Sequence, residues 1–214
     1  YHEAGHAVVA WAVPGNDPVN EVSIIPRGGA GGYTQTLSDE ESSFITRAML
    51  QARIAFAMGG YMAERIKFGD ITTGASSDIK NATGLARRMV TEWGMSTDIG
   101  PVFLGGEQEV FLGRDYGQSH SYSETLSARI DAEVHALIER GRSQAEDVLT
   151  GNWDKLENLV NVLLDREKIN GDEFKILMEG GTLEPVSQPE EPQQPEEAKP
   201  EQSASAPAGE GEEA

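Results

Sequence analysis

The chain opens with the stretch His-Glu-Ala-Gly-His at residues 2–6. It lies in a segment whose apolar residues recur at helical spacing as far as Val13, where Pro14 and Gly15 end the pattern. The two histidines are four positions apart, so a helix with about 3.6 residues per turn places both imidazoles on one face. We therefore predict an N-terminal helix that presents two ring nitrogens to a common point.

A His-Glu-x-x-His pattern on a helix is typical of zinc sites that hydrolyse peptide bonds. Imidazole nitrogens bind zinc at about 2.0–2.1 Å, and four-residue spacing lets both reach the same ion. The ion makes a water molecule more acidic, and a neighbouring glutamate can take its proton. We interpret His2 and His6 as metal ligands and Glu3 as a general base. A chance match with two surface histidines is the alternative, expected in about one chain in a hundred of this length.

Two histidines leave such a site incomplete, because a catalytic zinc usually has three protein ligands and one open position. The extended metzincin motif is excluded, since Val9 and Ala12 stand where it needs a glycine and a third histidine. His120 and His135 have no ligand-like neighbours in the sequence, and the chain has no cysteine. The third ligand is therefore expected to be a carboxylate.

Two carboxylates are candidates for this position. Glu64 lies in a predicted long helix, and helical glutamates fill the role in one group of zincins. Asp78 follows Thr-Thr-Gly-Ala-Ser-Ser at residues 72–77 and stands at a predicted helix start, where the helix dipole favours an ionised carboxylate. Their ordinary roles would be an ion pair for Glu64 and a helix cap for Asp78. Spacing alone leaves both open.

The rest of the chain predicts a mainly α fold of the zincin type, with a small sheet or hairpin near the N-terminus. Strands are expected at 19–25 and 33–37, joined by a glycine-rich loop. A Ser-x-x-Glu capping box at 38–41 predicts a long helix to about residue 67, and Gly59-Gly60 within it predicts a close helix–helix contact. Further helices are expected at 78–93, 123–149, 153–164 and 172–178.

Composition divides the chain into a folded domain at 1–185 and a tail at 186–214. The tail holds eight glutamates and one lysine and has no aromatic residue, so we expect it to be disordered. The formal net charge of −19 argues against a nucleic-acid partner, which favours a basic surface. The sequence has no apolar run of about 18 residues, so it predicts no membrane span. The start at Tyr1, directly against a motif, suggests a piece of a longer protein.

Six short stretches occur in order along the chain. They are His-Glu-Ala-Gly-His at 2–6, Gly-Tyr-Thr-Gln at 32–35, Gly-Gly-Tyr-Met-Ala-Glu at 59–64, Thr-Thr-Gly-Ala-Ser-Ser-Asp at 72–78, Phe-Leu-Gly-Arg at 111–114 and Tyr-Ser-Glu at 122–124. With them the chain, from Tyr1 to about Gly181, resembles the peptidase domain of the FtsH family, which are membrane-anchored ATP-dependent zinc proteases. The zinc motif alone is shared by many families, whereas the ordered set is specific.

The resemblance implies a role for each candidate residue. His2, His6 and Asp78 would bind one zinc ion per chain, with Glu3 as the general base. Glu64 would orient a zinc-binding histidine without touching the metal. The family usually has two adjacent acids where Glu64 is followed by an arginine here.

The resemblance also implies a substrate-binding strand. Gly32, Tyr33, Thr34 and Gln35 would hold an extended polypeptide through backbone pairing at an exposed edge. Such pairing ignores side chains, which suits a protease that cleaves many unfolded substrates. An ordinary sheet strand is the alternative, and it is compatible with this role.

The family's wider properties are expectations for a longer protein. They are an endopeptidase acting on unfolded or membrane proteins, an AAA+ ATPase unfoldase, a homo-hexamer, and anchoring in the bacterial inner membrane with this domain in the cytoplasm. No Gly-x-x-x-x-Gly-Lys-Ser/Thr phosphate loop occurs in the 214 residues, so ATP would act through a module outside them.

Two other readings compete with this one. A catalytically dead family member would act as a scaffold, although the intact His2, Glu3, His6 and Asp78 argue against it. A zinc peptidase of another group would use Glu64 as its third ligand and work without ATP.

Overall fold

Six α-helices and three short β-strands make up the described part of the computed structural model, which covers residues 1–28, 31–37, 44–105 and 122–184. The helices are α1 (His2–Ala12), α2 (Arg47–Phe68), α3 (Ser76–Thr91), α4 (Glu124–Gly151), α5 (Trp153–Arg166) and α6 (Gly171–Met178). The strands are β1 (Val19–Ser23), β2 (Tyr33–Thr36) and β3 (Lys168–Asn170). The predicted mainly α class with a small sheet is confirmed. Within these ranges, no helix is long and apolar enough to cross a membrane.

The sheet is antiparallel, with the strand order β2-β1-β3. Val22 in β1 pairs with Thr34 on one side and with Ile169 on the other. The predicted pair of N-terminal strands is therefore present, and a third strand from near residue 169 joins it, which the sequence did not predict because β3 has only three residues. This order leaves β2 at one edge of the described sheet.

Helix α2 begins later than predicted. Thr46 caps it by accepting a hydrogen bond from the backbone N–H of Met49, and residues 44–46 before it are not helical. The predicted capping box at 38–41 lies outside the described residues, so Thr46 and not Ser38 marks the start. The predicted end is close, because Gly69 ends the helix with a left-handed φ of 68°.

Helices α1, α2 and α4 form the centre of the core. Val8, Ile54 and Ile130, one from each helix, are at most 1% exposed. The α1–α2 crossing is close because both helices carry glycine at the contact. A Cβ on Gly5 would lie 2.5 Å from the carbonyl oxygen of Gly59, and a Cβ on Gly59 would lie 2.7 Å from that of Gly5. The predicted close contact is confirmed, and it brings the histidines of α1 against α2.

Two predictions fall on residues outside the described ranges. These are the disordered tail at 186–214 and the Phe-Leu-Gly-Arg stretch at 111–114, and His120 lies outside as well. The division into a domain at 1–185 and a tail therefore stays a prediction.

Candidate active site

Three of the predicted site residues converge on one point. The Nε2 atoms of His2 and His6 lie 3.1 Å apart. Asp78 Oδ2 lies 3.2 Å from Nε2 of His2 and 3.5 Å from Nε2 of His6. Among the described residues, these three side chains form the group whose ligand atoms are close enough to hold one metal ion, all within 4.8 Å of one another.

The other ring nitrogens fix the tautomers of both histidines. His2 Nδ1 lies 2.6 Å from Oε1 of Glu64, and His6 Nδ1 lies 2.8 Å from the carbonyl oxygen of Phe56. A carboxylate and a carbonyl are acceptors only, so each Nδ1 carries the proton and donates it. In the neutral rings both Nε2 atoms then present lone pairs to each other and to the Asp78 carboxylate. Three lone-pair donors meeting without a proton between them fit a cation, and this donor set is one that zinc prefers.

Helix α2 approaches this point through a residue without a side chain. A Cβ on Gly60 would lie 2.5 Å from Cε1 of His2 and 2.6 Å from Nε2 of both His2 and His6. Any larger residue would therefore push the two rings out of place. The sequence placed Gly60 in a close helix contact, but only the folded chain shows that the contact partner is the pair of imidazoles.

Glu64 lies on the far side of the His2 ring from the converging atoms. Its Oε1 accepts from His2, and its Oε2 accepts from the backbone N–H of Thr72 at 2.8 Å. Burial acts to raise the pKa of this carboxyl, but the Thr72 amide and the His2 ring outweigh it and lower the pKa below its ordinary value. Both oxygens are thus engaged, and Glu64 is 6% exposed.

Asp78 stands in the first turn of α3, directly after a short 3₁₀ turn at Thr73–Ala75. Burial opposes its ionisation, but hydrogen bonds that His2 and His6 donate when their rings are protonated outweigh burial and hold the pKa of the Asp78 carboxyl well below the usual range. The same contacts act on His2. Burial lowers the pKa of its ring, but the bonds to Asp78 and Glu64 outweigh burial, so the pKa of His2 is raised. A proton would thus compete with a metal ion for the His2 ring.

Glu3 lies beside this group and is not part of it. Its side chain rests against Gly32, where an added Cβ would lie 2.9 Å from Cγ and 3.2 Å from Oε1 of Glu3. The Thr34 hydroxyl lies 2.9 Å from the main-chain oxygen of Glu3 and 3.3 Å from its Oε2. The predicted base and the predicted substrate strand are therefore in direct contact.

A cavity of about 960 Å³ lies against the candidate ligands and the candidate base. Its lining includes His2, Glu3, His6, Glu64 and Asp78. Three of the four predicted strand residues, Gly32, Tyr33 and Thr34, also line it, whereas Gln35 is exposed and pairs with Glu21 of β1.

One further contact at the site was not predicted from the sequence. Tyr1 precedes the first zinc-motif histidine, and its hydroxyl donates to Oε2 of Glu157 in α5 at 3.0 Å. Lys67 at the end of α2 donates to the other oxygen of Glu157 at 2.7 Å. These bonds tie the start of α1 to two helices, and no sequence pattern relates residues that far apart.

Comparison with known proteins finds zinc proteases that are similar to this chain. The model of peptidase family M41 matches residues 1–177. An ATP-dependent zinc metalloprotease FtsH 1 from Thermoanaerobacter sp. (strain X514) is 46% identical over 187 residues, which are 87% of this chain and 31% of the relative. ATP-dependent zinc metalloproteases FtsH from Caldicellulosiruptor bescii and Veillonella parvula are 48% and 44% identical over 83% and 92% of this chain, and 29% and 31% of their own lengths. The chain thus spans about a third of the length of these relatives.

Proposed function

Because the chain belongs to peptidase family M41, we propose that it is a zinc-dependent endopeptidase domain. The observation that carries the proposal is the meeting of His2 Nε2, His6 Nε2 and Asp78 Oδ2, with both Nδ1 protons already donated elsewhere. This arrangement leaves three unprotonated ligand atoms, the number that a catalytic zinc site takes from its protein. One zinc ion per chain is the occupancy that follows.

The division of labour between the residues follows from their contacts. His2, His6 and Asp78 would hold the ion, and Glu64 would keep the His2 ring turned towards it. A bound zinc ion would supply a Lewis acid that polarises the scissile carbonyl and makes a water molecule more acidic. Glu3, which stands beside the ligands but outside their group, accepts the proton from the attacking water. The same carboxyl then returns a proton to the leaving amine nitrogen.

The substrate proposed for this site is an extended, unfolded polypeptide. Strand β2 is at the edge of the described sheet, and its first residues line the cavity that contains Glu3 and the ligands. A substrate that pairs with the free edge of β2 would place a peptide bond in that cavity irrespective of its side chains. Gly32, Tyr33, Thr34 and Gln35 are the residues proposed to line its path.

The longer protein is proposed to resemble its relatives in further respects. The relatives are named as ATP-dependent, so we propose that an AAA+ ATPase module outside these residues unfolds the substrate. A homo-hexamer anchored in the bacterial inner membrane, with this domain in the cytoplasm, completes the proposal. ATP, the membrane and the ring would all act through segments other than those described.

Replacing Glu3 with glutamine tests the proposed chemistry. The amide keeps the shape of the side chain but cannot accept a proton, so hydrolysis of an unstructured peptide should fall about 10²–10⁴-fold. Zinc content, measured by atomic absorption, should stay that of the unaltered protein because Glu3 is not a ligand. Unchanged hydrolysis would exclude Glu3 as the base, and loss of zinc would place it among the ligands.

A further inference from the structure

Glu3 is contacted by a side chain from outside its own helix. Thr34 Oγ1 in β2 lies 2.9 Å from the main-chain oxygen of Glu3 and 3.3 Å from its Oε2. A threonine hydroxyl has one proton to donate, and both of these atoms are acceptors within its reach. Thr34 is therefore a link between the sheet and the first turn of α1.

The other oxygen of the same carboxylate points towards Gly32. Gly32 is buried, and a Cβ built on it would lie 3.2 Å from Oε1 of Glu3 and 2.5 Å from the carbonyl oxygen of Ser23. One carboxylate oxygen thus faces Gly32, and the other faces the Thr34 hydroxyl. Neighbours at both oxygens limit the positions open to a side chain that has several rotatable bonds.

The orientation of Thr34 follows from its strand partner. Thr34 pairs with Val22 of β1, and residues paired across strands project their side chains to the same face. Val22 is fully buried, so the Thr34 side chain points inwards to α1. Its backbone meanwhile stays at the edge of the described sheet.

We propose that Thr34 is a positioning residue, which fixes the Glu3 carboxylate relative to the strand edge on which the substrate is aligned. The inference rests on the proposed function, in which Glu3 is the base. It assigns the Thr34 side chain a role separate from backbone pairing. Because Thr34 contacts the base and also belongs to the strand that pairs with the substrate, it fixes the distance between the base and the scissile bond. Misplacement by about 1 Å can slow catalysis about 10²-fold.

The test is Thr34→Val in the full chain loaded with zinc, assayed on a short unstructured peptide that needs no unfolding. Valine keeps the shape and removes the hydroxyl, so kcat should fall about 10- to 100-fold while KM changes less than about twofold. Thr34→Ser keeps the hydroxyl and should restore most of kcat. A crystal structure of Thr34→Val should show the Glu3 carboxylate displaced or spread over several positions. An unmoved carboxylate, or a rise in KM alone, would overturn the inference.

Thr91→Val is the matched control. The Thr91 hydroxyl also donates to a main-chain oxygen, that of Arg87, at 2.9 Å, but it lies in α3 away from the cavity. Its kcat should stay at the unaltered value, and zinc content should stay unchanged in both valine variants. An equal fall in kcat for Thr91→Val would mean that the loss reflects stability and not positioning.

A double variant separates this inference from the proposed function. If Thr34 acts through Glu3, Thr34→Val should cause little further loss of kcat in a protein that already carries Glu3→Gln. The same 10- to 100-fold loss in that background would refute the positioning role. Full activity of Glu3→Gln alone would instead refute the proposed base, and an inactive Glu3→Gln beside a normal Thr34→Val would refute only the role of Thr34.

Discussion

Two carboxylates contact His2 from two different regions of the molecule. Glu64 comes from the middle of α2, its side chain is 8% exposed, and it contacts Nδ1. Asp78 comes from the first turn of α3, its side chain is 27% exposed, and it contacts Nε2. Only the Nε2 side also carries the second histidine. The ring nitrogen that a carboxylate meets therefore decides whether it is placed to bind a metal or to orient a ligand.

The two carboxylates also differ in the groups that stabilise their charge. Glu64 accepts hydrogen bonds from the backbone N–H of Thr72 and from His2 Nδ1, so its charge is stabilised without a metal ion. Asp78 is stabilised by the two histidines whose ligand atoms it faces. A proton or a metal ion on that side would therefore change the surroundings of Asp78 far more than those of Glu64.

Asp78→Asn should have the largest effect of three substitutions on zinc binding. The substitution keeps the size of the side chain but removes the negative charge and one of the three ligand atoms. We expect zinc to be lost on dialysis and peptide hydrolysis to disappear, as measured by metal analysis and a peptidase assay. Retention of zinc would show that Asp78 is not a ligand.

Glu64→Gln should have an intermediate effect on zinc binding. The amide can still contact His2 but no longer supports a protonated Nδ1 with a full charge, so zinc affinity should fall about 10–100-fold. Competition with a chelator of known affinity measures this change. If Glu64→Gln abolishes binding while Asp78→Asn retains it, the two roles are reversed.

Gly60→Ala leaves all three ligand side chains in the protein and only shifts the two rings, so its effect on zinc affinity should be the smallest of the three. Its Cβ would lie 2.5 Å from the His2 ring, and overpacking of this kind costs about 1–3 kcal/mol. Thermal unfolding of the metal-free protein should therefore begin at a lower temperature, and zinc affinity should fall as the rings shift.

Gly84→Ala is the control for that substitution. Gly84 lies in α3 with nothing within 4 Å of an added Cβ, so alanine there should stabilise the helix by about 1 kcal/mol. Equal destabilisation by both substitutions would show that the space at Gly60 is not special.

Much of this site can be predicted from the sequence, because its two histidines lie within one turn of the same helix. The pairing of His2 and His6 depends only on helix periodicity, and both residues lie in α1 as predicted. The resemblance to the FtsH family, drawn from six ordered stretches, is confirmed by the family match and by relatives at 44–48% identity.

The remainder depends on tertiary contacts that no local pattern contains. Spacing could not separate Asp78 from Glu64, because the choice rests on which face of one imidazole each helix approaches. The roles of Gly60 and Thr34 likewise depend on what lies across from them. The start of α2 was predicted too early, because a Ser-x-x-Glu pattern is common, whereas Thr46, which caps the helix, is followed three positions later by Met49 and not by an acidic residue.

The most direct test of the account is a crystal structure of the zinc-loaded protein with anomalous diffraction data collected at the zinc edge. We expect one peak per chain, at about 2.0–2.2 Å from Nε2 of His2, Nε2 of His6 and a carboxylate oxygen of Asp78. Glu64 should remain on Nδ1 of His2, out of contact with the ion. A peak bound to Glu64, or one that leaves Asp78 unbound, would contradict the account.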